Sequence, residues 1–289
     1  MAIKGNRVNP GKFQKSQIKI YVVLLPMTLI MLLPLLYIVN HAFKPLEELF
    51  AYPPKFFVTN PSLVNFEKLA GATETSTVPL SRYIFNSVFV AVCVLAFTLV
   101  FTTMAAYALS KLQFRGKKLL LNMNDVGLMF VAVALQIPRY LIIDKLHLHD
   151  TYLAHILPVI VMPVGLLLMK QFIDGVPTEL MEAARIDGAS EFKIYRKIVI
   201  PIVRPAMATV SILMFQEVWN NLETSSMYVD TDAVKTFAFY MNTLSSNTNS
   251  VSGQGLAAVA TLIMLIPNVV LFVIMQSKVM STMATSGIK

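Results

Sequence analysis

Long stretches without a charged side chain constrain this chain more than any other feature. Lys19 and Lys44 bracket Ile20–Phe43, a run dominated by Leu, Ile, Val and Met. About 20 apolar residues in a helix cross the ~30 Å hydrocarbon core of a bilayer, so this window predicts a membrane-spanning helix. A secretory signal has an apolar core of only about 7–15 residues, followed by a small-residue cleavage site. This run is longer and ends Asn40-His41-Ala42-Phe43, so it reads as an uncleaved first span. Five more windows follow: 83–110 between Arg82 and Lys111, 119–138 interrupted by Asp125, 151–169 between Asp150 and Lys170, 201–222 with Arg204 near its start and Glu217 near its end, and about 255–277. Pro26, Pro34, Pro158, Pro163 and Pro267 fall inside these windows. Bilayer helices tolerate them as kinks, because neighbours satisfy the freed carbonyls.

The composition agrees with this. Only 14% of the 289 residues are charged and 56% are apolar, whereas a soluble domain carries about 25% charged residues. That balance argues against a water-soluble enzyme and excludes disorder, which needs a chain poor in apolar residues. The lone Cys93 excludes a disulfide framework and a cysteine-based metal site. The expected fold is all-α: a polytopic membrane protein with six transmembrane helices over residues 20–289, preceded by a tail of residues 1–19.

The formal charge of +8 invites a nucleic-acid reading, but the distribution of the basic residues argues against it. The tail, the 111–118 connection, the 170–204 connection and the C-terminus carry seventeen of the 24 Lys and Arg. The alternate connections carry seven: Lys44, Lys55, Lys68, Arg82, Arg139, Lys145 and Lys235. By the positive-inside rule both termini lie in the cytoplasm. Topology accounts for the basic excess, and no nucleic acid is expected. Two outer connections, about 44–82 and 223–254, are long enough to meet a partner outside the membrane.

The connection from Asp174 to Pro201 is the most informative segment. Thr178 is expected to cap a helix that has Glu179 in its first turn. Gly188 supplies the left-handed residue that ends it. Ser190 caps a second helix, and Pro201 starts the fifth span. Ala183 and Ala184 leave one face with little bulk, so another surface can approach closely. Ile186, Phe192, Ile194 and Tyr195 are too apolar for a free hairpin in water and must pack on something, either the protein's own helices or a partner.

Glu182-Ala183-Ala184, then Gly188, then Ile198, Ile200 and Pro201 resembles the signature loop of the membrane subunits of bacterial ABC importers: Glu-Ala-Ala, three residues, Gly, nine residues, Ile-x-Leu-Pro. Ile200 stands where that family has Leu, a swap that conserves volume. Asp187-Gly188-Ala189, Pro205 and Val218-Trp219-Asn220 resemble the carbohydrate-uptake branch, of the maltose type. The resemblance implies a type I importer transmembrane domain forming half of a pore in the bacterial inner membrane. It implies as partners a second permease subunit, two cytoplasmic ATPase subunits docking on Glu182 and its neighbours, and a substrate-binding protein outside. Gly188 would allow the turn. Nucleotide-driven closure of the ATPases would rock the helices about a path near the midplane, as in other alternating-access transporters.

No ATP site exists in this chain. A P-loop needs Gly-x4-Gly-Lys-Ser/Thr. Gly11-Lys12 is followed by Phe13 and Gly116-Lys117 by Lys118, without the earlier glycine. Magnesium-bound ATP therefore belongs to partner subunits, this chain carries no cofactor of its own, and it is not expected to be an enzyme. No Ser-His-Asp set, Gly-x-Ser-x-Gly or His-Glu-x-x-His occurs, and His147-x-His149 lacks a third metal ligand nearby in sequence.

Asp125 and Glu217 interrupt apolar windows, each at about 2.5–3.5 kcal/mol at the bilayer centre. Both should face the bundle or an aqueous path. Glu217 stands beside Gln216, Trp219 and Asn220. Amides suit sugar hydroxyls and an aromatic plate suits a sugar ring, so these four are the candidate substrate-path residues; pairing with a partner subunit is the competing reading. Asp125 is expected to have a structural partner. Two other functions stay open: a permease for a non-sugar ABC importer, and an ion-coupled carrier using Asp125 and Glu217. Six spans without an internal repeat disfavour the carrier.

Overall fold

The computed structural model describes residues 17–74, 78–246 and 251–286. Among these residues the regular structure is helical: α1 (Ile18–Phe43), α2 (Leu46–Leu49), α3 (Val64–Glu74), α4 (Leu80–Lys111), α5 (Lys117–Met129), α6 (Ala132–Lys145), α7 (Tyr152–Ile156), α8 (Pro163–Asp174), α9 (Thr178–Ile186), α10 (Glu191–Ile194), α11 (Ile200–Trp219), α12 (Glu223–Tyr228), α13 (Phe237–Ser246) and α14 (Val251–Ser286). Lys4, Arg7, Lys12, Lys15 and Lys289, counted above toward the inner side, lie outside the described residues. The chain divides into two compact units, Met1–Leu69 with Thr248–Leu262 and Ala70–Asn247 with Ile263–Lys289.

Among the described residues, four helical stretches are long and apolar enough to cross a bilayer: Ile18–Phe43, Leu80–Lys111, Glu191–Trp219 and Gly253–Gln276. Residues 18–37 of α1 are exposed throughout, as expected of a helix that faces hydrocarbon. Pro26 and Pro34 lie inside α1 and Pro267 inside α14 without ending either helix.

The other two windows fold differently from single rods. Window 119–138 splits into α5 and α6, bent by 113° where Phe130 and Val131 take extended dihedrals. Window 151–169 splits into α7 and α8 around a non-helical link, with Pro158 inside the link and Pro163 at the first turn of α8. Proline lacks the N–H an interior helical position needs, so Pro158 favours the break and Pro163 suits a helix start. Irregular backbone at membrane depth needs its carbonyls satisfied by protein. The Thr98 hydroxyl of α4 does this for the Ile160 carbonyl, donating at 2.9 Å.

In the larger unit α4, α8 and α11 pack together. Tyr107, Met169, Ile173, Met181, Ile194, Val203 and Val210 form one buried cluster, and Val90, Val94, Ile156, Val159, Met214 and Val218 form a second. Gly165 lets α8 approach α11 closely, since a Cβ there would stand 3.3 Å from Val210 Cγ1. The core of this unit is thus a three-helix wedge that carries the 174–201 hairpin.

Candidate functional site

The hairpin is built locally as the sequence dictates, with two corrections. Pro177, not Thr178, is the N-cap of α9, and Thr178 opens the helix without a side-chain cap, because the preceding proline already holds the extended conformation a cap requires. Glu179 does lie in the first turn. Gly188 takes φ +77°, and Ser190 caps α10 by accepting the Lys193 N–H at 3.4 Å. Pro201 lies in the first turn of α11, but no break in the helix precedes it. The chain is helical without interruption from Glu191 through Trp219, with a π turn at Tyr195–Val199 just before the proline. There the Ile200 N–H donates to the Tyr195 carbonyl five residues back. The widened turn relieves the crowding a proline ring imposes on the carbonyl four residues earlier.

Contacts between the hairpin's own arms and contacts from α4 hold it in place. Arg185 and Glu191, on opposite sides of the Gly188 turn, form an ion pair with Nε–Oε1 at 2.7 Å and Nη2–Oε2 at 3.3 Å. The hydrogen bond to Glu191 raises the Arg185 pKa. The Tyr107 hydroxyl of α4 donates to the same carboxylate at 2.6 Å, and Thr103 and Tyr195 share a hydroxyl–hydroxyl bond of 2.7 Å. At the hairpin's entry, Ser110 donates to Asp174 Oδ1 at 2.5 Å, Lys170 pairs with Asp174 Oδ2 at 2.7 Å, and Lys111 donates to the Val176 carbonyl at 2.7 Å.

The four apolar side chains split in their surroundings. Ile194 is fully buried and Tyr195 packs on the same cluster, so the protein's own helices take those two. Ile186 stays 87% exposed and Phe192 60%. Glu182, Ala183 and Asp187 are also exposed, Ala184 and Ile198 lie half-buried against the core, and Pro201 is exposed. The hairpin therefore has one face built into the core and one free rim.

At the far end of α11 a cavity of about 660 Å³ opens between the α5–α6 break and the α7–α8 link. Phe130, Leu135, Pro158 and Val161 give it apolar walls, and Arg139 and Glu217 supply opposite charges. Arg139 also sits 3.7 Å from Glu223 Oε1 of α12. Glu217, Gln216 and Asn220 are exposed. Trp219 departs from the expected arrangement. It is only 6% exposed, its indole N–H donates to the Met264 carbonyl at 3.1 Å, and its ring stacks on Phe215 at 5.5 Å. A buried indole gains most by filling space and satisfying its one donor, which removes Trp219 from the cavity wall. Asp125 is exposed on α5 with no ion-pair or hydrogen-bond partner among the described residues, contrary to the structural partner expected for it.

The sequence reasoning missed Arg139, Tyr107 and the Arg185–Glu191 pair. Opposite charges flanking a turn glycine were a visible signal for the pair. Nothing local marks Tyr107, which lies 84 residues from its carboxylate. Arg139 follows directly on an apolar window and was counted only as a loop charge.

The comparisons with known proteins agree with this architecture. The chain is 30% identical to the arabinooligosaccharides transport system permease protein AraQ of Halalkalibacterium halodurans, over 71% of this chain and 72% of that one. It is 27% identical to the trehalose transport system permease protein SugB of Mycobacterium tuberculosis, over 89% and 92% respectively. A chain in the crystal structure of a bacterial ABC transporter involved in the import of the acidic polysaccharide alginate superimposes with a TM-score of 0.79 at 20% identity, covering 93% of this chain and 99% of that one. The model of the binding-protein-dependent transport system inner membrane component matches residues 20–277. The chain belongs to that family of multi-pass membrane transport components.

Proposed function

We propose that this chain forms half of the translocation path of an ATP-driven importer for a carbohydrate, an oligosaccharide in particular. Both termini lie in the cytoplasm, a second permease subunit completes the path, two ATPase subunits bind the 174–201 hairpin, and a substrate-binding protein delivers ligand from outside. Magnesium-bound ATP is held by the ATPases.

The observation that carries this reading is the hairpin's two-sided construction. One side is fixed by Tyr107, Glu191 and Arg185, and the other presents Glu182, Ala183, Ile186 and Phe192 to whatever binds there. Exposed apolar groups on a rigid polar-rimmed element mark an interaction surface. The second arm is continuous with α11, so a displacement of Glu191 reaches Glu217 about 40 Å away along one helix. Glu182 and Gly188 belong to the docking element, with Ala183, Ala184, Asp187, Ile198 and Pro201 shaping it.

The sugar reading rests on the relatives, whose names specify arabinooligosaccharides and trehalose, and on the chemistry of the cavity. Apolar walls suit the faces of sugar rings, and Arg139 and Glu217 offer a donor and an acceptor for hydroxyls; Gln216 and Asn220, exposed beside Glu217 on α11, are proposed to extend that polar strip. The test is uptake by the assembled importer in vesicles loaded with oligosaccharides or, separately, with amino acids and polyamines as competitors. Competition by oligosaccharides alone, abolished by removing ATP while a proton gradient is held, is the expected result. Uptake that survives ATP removal under the gradient overturns the primary-importer reading.

A further inference from the structure

The hairpin's second arm and α11 form one helix from Glu191 to Trp219, but its inward stripe is unevenly spaced. Ile194, Val199, Val203, Ala206 and Val210 are buried in the same cluster. The last four stand three or four residues apart, the spacing of one face of an α-helix. Ile194 and Val199 stand five apart, and the π turn Tyr195–Val199 lies at that step. With one residue fewer there, Ile194 and Val199 would stand four apart and the stripe would run on in an ordinary α-helix. The turn therefore holds one residue that core packing does not require.

Proline alone does not require it either. Pro205 lies inside α11 and is passed without a widened turn, whereas Pro201 is preceded by one. A surplus residue that disturbs the regular hydrogen bonding and fills no space in the core marks a place where the helix gives, and π turns inside α-helices occur mostly at functional sites. The ladder is thin here for a second reason. Pro201 and Pro205 have no N–H, so two of the six residues that follow Val199 donate nothing to it. By contrast α4, to which the arm is bonded, contains no proline from Leu80 to Lys111.

Both sides of the turn are anchored. On the hairpin side, Glu191 accepts from Tyr107 and Arg185. The Thr103 hydroxyl gives its one proton to the Leu99 carbonyl at 2.6 Å, so the Tyr195 hydroxyl is the donor in the 2.7 Å bond between them. On the other side, Val199 and Val203 are buried in the core. Only Arg196, Lys197 and Ile198 lie between the two anchorages. A bend or twist between the hairpin and α11 is taken up where the backbone is least regular and least anchored, as at the short hinge segments of moving domains.

We propose that the π turn Tyr195–Val199 is the joint of the transmission, at which the helix bends when the ATPases displace the hairpin. A push along the helix axis passes through it toward Glu217, while a sideways or twisting component is absorbed by the surplus residue. The core can then keep its packing around Val199 and Val203 while the hairpin keeps its hold on the ATPase. The joint rests on the proposed docking of an ATPase on the hairpin and adds to it the place where the motion is accommodated.

The test is deletion of Lys197 in the full importer, which turns the joint into regular α-helix without moving either stripe. The variant is expected to assemble with its ATPase and to melt no lower than the parent, yet to trap nucleotide with ATP and vanadate several-fold less, because closure of the ATPases now meets a stiff rod. Trapping equal to the parent makes the turn a local accommodation and overturns the proposal. Loss of ATPase binding with the melting temperature intact makes the turn part of the docking face and overturns it too. Deletion of Thr209, within regular α11, turns Val210 about 100° off the stripe and is expected to prevent assembly; if both deletions are tolerated alike, no surplus residue exists. Should the Lys197 deletion fail to assemble, deletion of Arg196 is the second variant, and failure of both shows that the core needs the residue and overturns the proposal. A parent importer that traps no nucleotide would sink the ATP-driven reading itself, a failure seen without any deletion.

Discussion

The Tyr107 hydroxyl donates to Glu191 Oε2 at 2.6 Å, bridging α4 to the first residue of the helix that runs on into α11. Because Arg185 holds the other oxygen of the same carboxylate at 2.7 Å, one Glu fixes both arms of the hairpin to the membrane core. Tyr107→Phe removes one hydrogen bond to a charged acceptor. The expected loss is about 1 kcal/mol, reduced from the usual 1.5–3 because the carboxylate is partly exposed. Uptake per ATP hydrolysed should fall while ATP hydrolysis persists; an unchanged ratio in reconstituted vesicles contradicts the role given to this contact.

Gly188 holds φ +77° with nothing within 4 Å of where a Cβ would stand. The cost of Gly188→Ala is therefore conformational, about 1–2 kcal/mol, and Gly188→Asn should cost less because Asn tolerates the left-handed region. Thermal unfolding of the two variants gives the order; equal effects would point to a steric or contact origin instead.

Gly255 in α14 faces Asn65, and an added Cβ would come within 2.7 Å of that side chain. Asn65 has no freedom to withdraw, since its amide holds the Ala42 and Lys44 carbonyls at 3.1 and 2.7 Å. Gly255→Ala should destabilise by about 2–3 kcal/mol through overpacking and lost hydrogen bonds. The double variant Gly255→Ala with Asn65→Ala should show a coupling of opposite sign, measured as a double-mutant cycle of melting temperatures.

Asp150 takes φ +58° and accepts the N–H groups of Asp230 and Thr231, both at 2.8 Å, tying the α6–α7 turn to the segment after α12. The hydrogen bond from Thr231, with that from Asp230, holds its carboxyl below the usual aspartate range. A depressed folded-state pKa contributes stability above the unfolded value of about 3.9 and loses it as pH falls through the folded value. Asp150→Asn should thus lower the melting temperature at pH 7 and shrink the gap from the parent chain as pH drops below about 4. A gap that stays constant with pH contradicts the ionic contribution.

What the amino-acid order reveals depends on the range of the interaction. The uncharged windows at 20–43 and 83–110 coincide with α1 and α4 because hydrocarbon length is a property of consecutive residues. Gly188 and Ser190 were readable for a similar reason, since a turn and a cap are decided within four residues. The breaks in windows 119–138 and 151–169 were not. Apolar counting treats Phe130-Val131 like any other pair, and the Ile160 carbonyl is tolerated only because Thr98, far away in sequence, meets it. The burial of Trp219 was hidden for the same reason: the Met264 carbonyl and Phe215 that hold its ring are invisible to a reading of its neighbours Gln216 and Asn220.

The central claim is that the exposed rim of the hairpin docks on an ATPase in the cytoplasm. Ile186, 87% exposed at the end of α9, is the position to test it. A photo-activatable cross-linker attached to Ile186→Cys, in the Cys93→Ser chain assembled with its partners in membranes, should yield an adduct with the ATPase subunit, and a membrane-impermeant thiol reagent applied from outside the cell should leave that cysteine unlabelled. Labelling from outside, or an importer that assembles and hydrolyses ATP without any such adduct, would contradict the claim.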